Sequence, residues 1–141
     1  MNPILRNTLA VLAGCFIGSV INMGIIQLGM NLIPPPEGVD PTDVESIKAS
    51  MHLYETKHFI VPWIAHAIGT LVAAFIAVKF AVSHHLKLAM GIGAFFLLGG
   101  VAAAQMIGSP ALMTAIDLIV AYLPMAWLGY QLAYSNADPS N

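Results

Sequence analysis

Four long apolar runs constrain the fold of this chain more than any other feature of its sequence. They cover residues 5–33, 59–82, 88–107 and 111–134, to within a few residues at each end. Each run is near or above the roughly 20 residues that an α-helix needs to cross the hydrocarbon core of a bilayer. In hydrocarbon the backbone must pair all its polar groups internally, so each run is predicted to be a helix. The sequence therefore predicts an all-α membrane protein with four transmembrane helices.

The composition agrees with a chain that is solvated by lipid. Hydrophobic residues make up 58% of the 141 residues and charged residues only 9%, whereas soluble domains carry about 25% charged residues. The net charge of −2 and the lack of a Lys/Arg cluster exclude a nucleic-acid-binding surface. We expect one domain, residues 1–141, with the lipid bilayer as its partner.

Short connections separate the second, third and fourth runs. They are Ser83-His84-His85 and Gly108-Ser109-Pro110. Because short loops join antiparallel neighbours, we expect an up-down bundle. The first run continues to about Ile33 without a small-x-small cleavage site, so it is predicted to be a retained anchor and not a signal peptide.

The connection between the first two runs, residues 34–58, is longer and contains an expected helix. It opens with the stiff segment Pro34-Pro35-Pro36. Asp40 then stands before Pro41, as a helix N-cap would. The apolar residues that follow have helical spacing: Val44, Ile47, Met51 and Tyr54. This pattern predicts an amphipathic helix in the first outer loop. It would lie on the membrane surface or pack over the mouth of the bundle, and it could run on towards Pro62.

Lysine and arginine positions predict the orientation. Arg6, Lys79 and Lys87 would share one side of the membrane, and Lys48 and Lys57 the other. The larger positive charge favours the cytoplasm, so both termini are predicted to be cytoplasmic and residues 34–58 to be outside.

Small residues recur every fourth position in three of the runs, as at Gly14 and Gly18 in the first and Ala65, Gly69 and Ala73 in the second. Such spacing lets helices approach closely in lipid. It fits either the interface of a homo-oligomer or packing inside one bundle. We favour the second, because the pattern is common.

Polar residues inside the predicted spans point to a functional site, because each is costly in hydrocarbon. Counted at 1.5 Å per residue, His66 and Asp117 both lie roughly 10 Å below the outer boundary. We predict that they pair, either to bind a ligand or proton or as a hydrogen-bonded clamp between helices. Other polar residues complete a predicted outer-leaflet pocket: Asn22, Gln27, Thr70 and Gln105.

A second candidate site lies before the second run. His52, Glu55 and His58 are spaced three residues apart, and Glu55 and His58 match the Glu-x-x-His motif of di-metal bundles. A di-iron centre needs a second such motif, which is missing, so the alternative is a single zinc or copper ion with His66 as a further ligand. On a straight helix Glu55 and His66 would lie roughly 16 Å apart. A solvated charged stripe is therefore favoured, and no cofactor is predicted.

Several segments resemble a group of small, uncharacterised bacterial membrane proteins of similar length. They are IPPPEGVD at 33–40, ESIKASMH at 45–52, KHF at 57–59 and AHAIGT at 65–70. The resemblance covers most of the chain and implies a location in the bacterial inner membrane. It assigns no activity and no catalytic residue.

Three functional hypotheses follow from these patterns. In the first hypothesis, the chain is a non-enzymatic binding or transport-related protein that uses the His66/Asp117 pocket. Alternatively, it is an accessory subunit of a larger membrane complex that packs through its small residues. The third hypothesis is a metal-dependent membrane enzyme that uses the histidines and glutamate at 52–66.

Overall fold

Helices make up 79% of the residues that the computed structural model of the chain describes, 2–135. Within that range there are no strands. A single 3-10 turn covers Met51–Leu53, and the α-helices are α1 (Pro3–Gly29), α2 (Val44–Ala49), α3 (Lys57–Phe80), α4 (His85–Ile107), α5 (Ala111–Val120) and α6 (Leu123–Ser135). The all-α prediction is confirmed.

Four helical segments are long and apolar enough to cross a membrane, as the sequence predicts. They are α1, α3, α4 and the pair α5–α6, with 27, 24, 23 and 25 residues. The fourth segment differs from the prediction because a turn at Ala121–Tyr122 divides it. Pro124 has no backbone N–H, so the carbonyl of Val120 lacks the donor that a continuous helix would supply four residues later. Proline is tolerated in the first turn of a new helix, where Pro124 lies.

Helices α1 and α3 pack closely and run antiparallel. Gly14 lies against Ala77, whereas Gly29, further along α1, lies against Val61 near the start of α3. Between them, a Cβ added to Gly18 would lie 2.5 Å from the carbonyl oxygen of Gly69. The small residues of α1 and α3 therefore pack against each other inside one chain. Of the two interpretations of their spacing, this is packing within a single bundle and not the interface of a homo-oligomer.

Helix α3 is the central element because it also packs against α4 and α6. Small buried side chains fill these contacts, in a cluster that comprises Ala74, Val78, Ala89, Ala126 and Ala133. Helix α6 runs parallel to α3, since Ala121, just before α6, shares a cluster with Ala67, whereas Gly129, further along α6, lies against Ala74. Because most contact residues are small, the helix axes approach closely over their full length.

A set of hydrogen bonds fixes the start of α1 beside the turn that joins α3 to α4. The Arg6 Nε donates to the carbonyl oxygen of Phe80 at 3.0 Å. The Asn7 amide donates to Ser83 Oγ at 3.0 Å and accepts from the backbone N–H of Val82 at 2.9 Å. These bonds pair backbone groups that the end of α3 would otherwise leave free.

The helix in the first connection is shorter than predicted and has a different N-cap. Asp43, not Asp40, accepts from the backbone N–H of Glu45 and caps α2. Asp40 instead accepts from the hydroxyl and the backbone N–H of Thr42, which lowers the pKa of the Asp40 carboxyl. Tyr54 is extended, with φ −74° and ψ 127°, so the helical pattern does not continue into α3. Helix α2 packs against α4.

The contact between α1 and α3 can be tested with two matched glycine substitutions. Gly18→Ala is expected to lower the free energy of unfolding by about 1–3 kcal/mol, because the new methyl group would overlap Gly69 and Ala73. Gly24 lies on the same helix, and a Cβ there meets nothing within 4 Å. Gly24→Ala should be neutral or stabilising, since alanine favours helix over glycine by about 1 kcal/mol. Unfolding in detergent measures both, and equal effects would contradict the close contact.

Candidate functional site

The candidate site is built around a contact between His66 of α3 and Asp117 of α5. The His66 Nδ1 lies 2.9 Å from Asp117 Oδ1 and 3.1 Å from Oδ2. The side chains are 27% and 19% exposed. They lie roughly 14 Å and 9 Å from the starts of their helices, counted at 1.5 Å per residue. The contact predicted from the depth of these residues is therefore present.

Tyr122 is a third member of the site, and the sequence reasoning missed it. Its hydroxyl donates to Asp117 Oδ2 at 3.1 Å, and its ring stacks on His66 with centroids 5.7 Å apart. In an unbroken helix Tyr122 would lie about 140° around the axis from Asp117. The turn between α5 and α6 removes this offset. Only recognition of that turn, from Pro124, would have placed Tyr122 beside Asp117.

Gly100 of α4 makes room for this arrangement. A Cβ at Gly100 would collide with the Tyr122 hydroxyl, so a side chain there would push the phenol away from Asp117. Tyr122 itself is only 3% exposed. Three helical segments therefore hold the group consisting of His66, Asp117 and Tyr122, which we call the His–Asp–Tyr group.

Hydrogen bonding within the group determines which atom of His66 remains available. When Asp117 is ionised, its carboxylate only accepts hydrogen bonds, and Nδ1 of His66 is then the donor in this contact. The other nitrogen, Nε2, then accepts a hydrogen bond when the ring is neutral and donates one when the ring is charged. The group can thus present one adaptable polar atom to a ligand.

A cavity of about 410 Å³ adjoins His66 and Asp117. Its size lies within the range of about 300–1,000 Å³ that is typical of small-molecule sites. The walls come from the last turns of α1 and α4, the first turns of α3 and α5, and the first connection. Aromatic and thioether side chains contribute much of the lining: Tyr54, Phe59 and Trp63, and Met30, Met51 and Met113.

The first connection contributes part of the cavity wall. Ile47 of α2, Met51 of the 3-10 turn and Tyr54 all line it. Burial raises the pKa of the Tyr54 phenol above its ordinary value. The Tyr54 ring meets His58 edge-on at 5.4 Å, and His58 Nδ1 accepts from the backbone N–H of Glu55 at 2.8 Å. These contacts hold the end of the first connection against the start of α3 and orient the His58 ring.

The structure does not bring the other four predicted pocket residues into this cavity. Gln27 and Gln105 are exposed, and α4 faces the cavity with residues such as Ala104 and Ile107 instead. Asn22 lies against Gly69 at the contact of α1 with α3, and Thr70 is fully buried deeper in α3. Depth in the membrane was predicted from residue counts, but the rotation of each helix about its axis was not.

The proposed metal ligands are also placed differently from the sequence prediction. The 3-10 turn and the extended Tyr54 separate His52 from Glu55 and His58, so the expected common helix face is not formed. The Glu55 carboxylate instead pairs with Lys57 at 3.2 Å. Among residues 2–135, no three His, Cys, Asp or Glu side chains are grouped closely enough to hold a metal ion.

Comparisons with protein families, with curated proteins and with solved structures found no match for this chain. The resemblance to small bacterial membrane proteins therefore stays a prediction.

Energetic coupling between His66 and Asp117 can be measured with a double-mutant cycle. Since the side chains are in contact, His66→Ala and Asp117→Ala should be non-additive, with a coupling of about 1–2 kcal/mol in the free energy of unfolding. His58→Ala provides the control, because His58 lines the same cavity and has no hydrogen bond to Asp117. The effects of His58→Ala and Asp117→Ala on the free energy of unfolding should be additive within about 0.5 kcal/mol. Additivity of the first pair would contradict the contact.

Proposed function

We propose that the chain is a multi-pass membrane protein that binds a small, mainly apolar molecule in the cavity beside the His–Asp–Tyr group. In this proposal α1, α3, α4 and the pair α5–α6 stand as an up-down bundle in the bilayer. The observation that carries it is a mostly apolar cavity whose wall contains the hydrogen-bonded pair His66 and Asp117.

The outer surface of the helices supports insertion into a membrane. Large apolar side chains point outward on every candidate span, among them Phe16 at 70%, Leu98 at 69% and Leu112 at 67% exposure. Soluble monomers rarely expose apolar patches larger than a few hundred Å². Lipid would solvate these side chains at no cost, and the polar groups of the helical backbone are already paired.

The distribution of charge supports one orientation. Arg6, Lys79 and Lys87 lie near the end of the helices where α1 begins and α3 ends, whereas Lys48 and Lys57 lie near the opposite end. Under the positive-inside rule, both termini are cytoplasmic and the cavity opens in the outer leaflet. Together with the resemblance to small bacterial membrane proteins, this favours the bacterial inner membrane as the location.

The chemistry of the group fits ligand recognition. Asp117 holds one ring nitrogen of His66, and Tyr122 in turn holds Asp117. Asp117 and Tyr122 thus act as positioning residues, while His66 Nε2 is the atom that a ligand would contact. Pockets of this type use a few placed polar groups for orientation and apolar walls for affinity.

Occupation of the cavity can be tested before the ligand is identified. Ala104 lines the cavity, and Ala102 is an exposed residue of the same helix that does not line it. Ala104→Phe should fill part of the cavity and abolish retention of a bound molecule during extraction in mild detergent. Ala102→Phe should retain the molecule as the wild type does. Native mass spectrometry measures both, and equal retention by the two variants would contradict the proposal.

Orientation has its own test. In a Cys15→Ser background, Thr42→Cys places a thiol in the exposed first connection and Ser135→Cys places one at the end of α6. A membrane-impermeant maleimide added to intact cells should label the first variant only. Labelling of the second before permeabilisation would reverse the proposed orientation.

A further inference from the structure

One ring nitrogen of His66 is accessible and has no hydrogen-bond partner within residues 2–135. Nδ1 lies in the contact with Asp117, whereas Nε2 makes no hydrogen bond there. The buried side-chain polar atoms that lack a partner belong to other residues: Asn22, Trp63 and Thr70. His66 Nε2 is therefore not a buried atom. Because His66 lines the cavity and its side chain is 27% exposed, the cavity is the space from which a molecule contacts this nitrogen.

The ionised Asp117 carboxylate selects the kind of atom that His66 Nε2 binds. The neutral His66 ring then donates through Nδ1 to Asp117, so Nε2 is an acceptor. The pair as a whole carries one negative charge. A ligand nitrogen that is both a hydrogen-bond donor and positively charged satisfies the acceptor and the charge together. Such charge-assisted hydrogen bonds are roughly twice as strong as neutral ones.

The other charges around the cavity also favour a cation. Among the described residues that line it, Asp117 is the one carboxylate, and none is a lysine or arginine. The first connection, residues 34–58, carries five carboxylates and two lysines, a net charge of −3 with neutral histidines. An excess of one sign of charge raises the local concentration of the opposite ion. An anionic ligand would be repelled by Asp117 and by this connection.

The apolar walls suit a cation that carries a ring. The rings of Tyr54 and Phe59 are 6.0 Å apart and tilted by 50°, and Trp63 follows Phe59 by about one helical turn on α3. All three line the cavity. Aromatic faces attract cations, and aromatic rings also pack favourably on one another. The body of the ligand can therefore pack on these walls while its nitrogen lies at His66.

We propose that the cavity binds a protonated organic amine with an apolar, ring-containing body, whose N–H donates to His66 Nε2 and whose positive charge is balanced by Asp117. The inference rests on the proposed binding function and adds the class of the ligand. The amine keeps its proton, and no covalent step is part of binding.

Three probes on one scaffold test the inference. At about pH 8, 1-naphthylmethylamine is a cation, 1-ethylnaphthalene is its neutral counterpart with a methyl group in place of the amine, and 1-naphthylacetate is an anion. The rise in unfolding temperature with probe concentration gives an affinity for each. The amine and the hydrocarbon should stabilise the wild type, and the anion should not. Comparing each probe between proteins cancels its partition into detergent.

Two substitutions remove the recognition of the amine and keep the cavity. Asp117→Asn deletes the charge at nearly constant shape, and His66→Asn deletes Nε2 while its amide can still donate to Asp117. Each should weaken binding of the amine roughly tenfold and leave that of the hydrocarbon nearly unchanged, because only the charge-assisted hydrogen bond is lost. Unchanged hydrocarbon binding also shows that the variant is folded, and either variant alone decides the test.

Glu55→Gln is the matched control for loss of a carboxylate. Glu55 is exposed and does not line this cavity. Its charge is screened by salt, so the affinity for the amine should stay within about twofold of the wild type. A loss as large as that in Asp117→Asn would show a general effect of surface charge and would contradict recognition at Asp117.

The outcomes separate this inference from the binding function itself. If the hydrocarbon binds, but the amine does not bind or is unaffected by both site substitutions, the amine class is wrong while a binding cavity remains. Stabilisation by the anion would overturn the class as well. If no probe stabilises the wild type, and Ala104→Phe retains bound molecules as well as Ala102→Phe does, the binding function fails too.

Discussion

The arrangement of the chain depends on how closely other helices can approach α3. That helix contacts α1, α4 and α6, and the fully buried residues at these contacts are mostly glycine or alanine. Without a strong hydrophobic force between helices in lipid, association depends on close van der Waals packing over such surfaces. Once α3 is held on three sides, its first turns, which carry Trp63 and His66, have a fixed position relative to α4 and α5. The geometry of the candidate site therefore depends on the small residues at these contacts, including Gly100 beside Tyr122.

The turn that divides the fourth segment also determines the geometry of the site. A continuous helix from Ala111 onward would place Asp117 and Tyr122 on different faces. The turn at Ala121–Tyr122 allows the phenol to reach the carboxylate while α6 keeps its packing against α3 and α4. Interrupted helices are tolerated at membrane depth where neighbouring groups pair the freed backbone or where the backbone lines a cavity. Here the interruption lies beside the partly buried His66–Asp117 pair.

Sequence patterns predicted the elements well and the site in part. Apolar run length gave the four helical segments, and counting residues from their ends placed His66 and Asp117 at compatible depths. The pattern of Val44, Ile47, Met51 and Tyr54 overestimated the helix in the first connection, because α2 ends at Ala49 and a 3-10 turn follows. The main error concerns the direction in which side chains face. Four residues were predicted to line the pocket and do not: Asn22, Gln27, Thr70 and Gln105. Facing direction depends on helix rotation, and an almost uniformly apolar helix carries little pattern from which to read it.

A clamp between helices and a ligand site make different demands on the His66–Asp117 pair. Burying an ionised pair seldom stabilises a protein relative to apolar residues of similar size, because desolvation offsets the attraction. A pair that only joined two helices would also have no need to lie in the wall of a cavity. Yet His66 and Asp117 remain 27% and 19% exposed, and both line the cavity. A position in a cavity wall is what the proposed binding function requires of this pair.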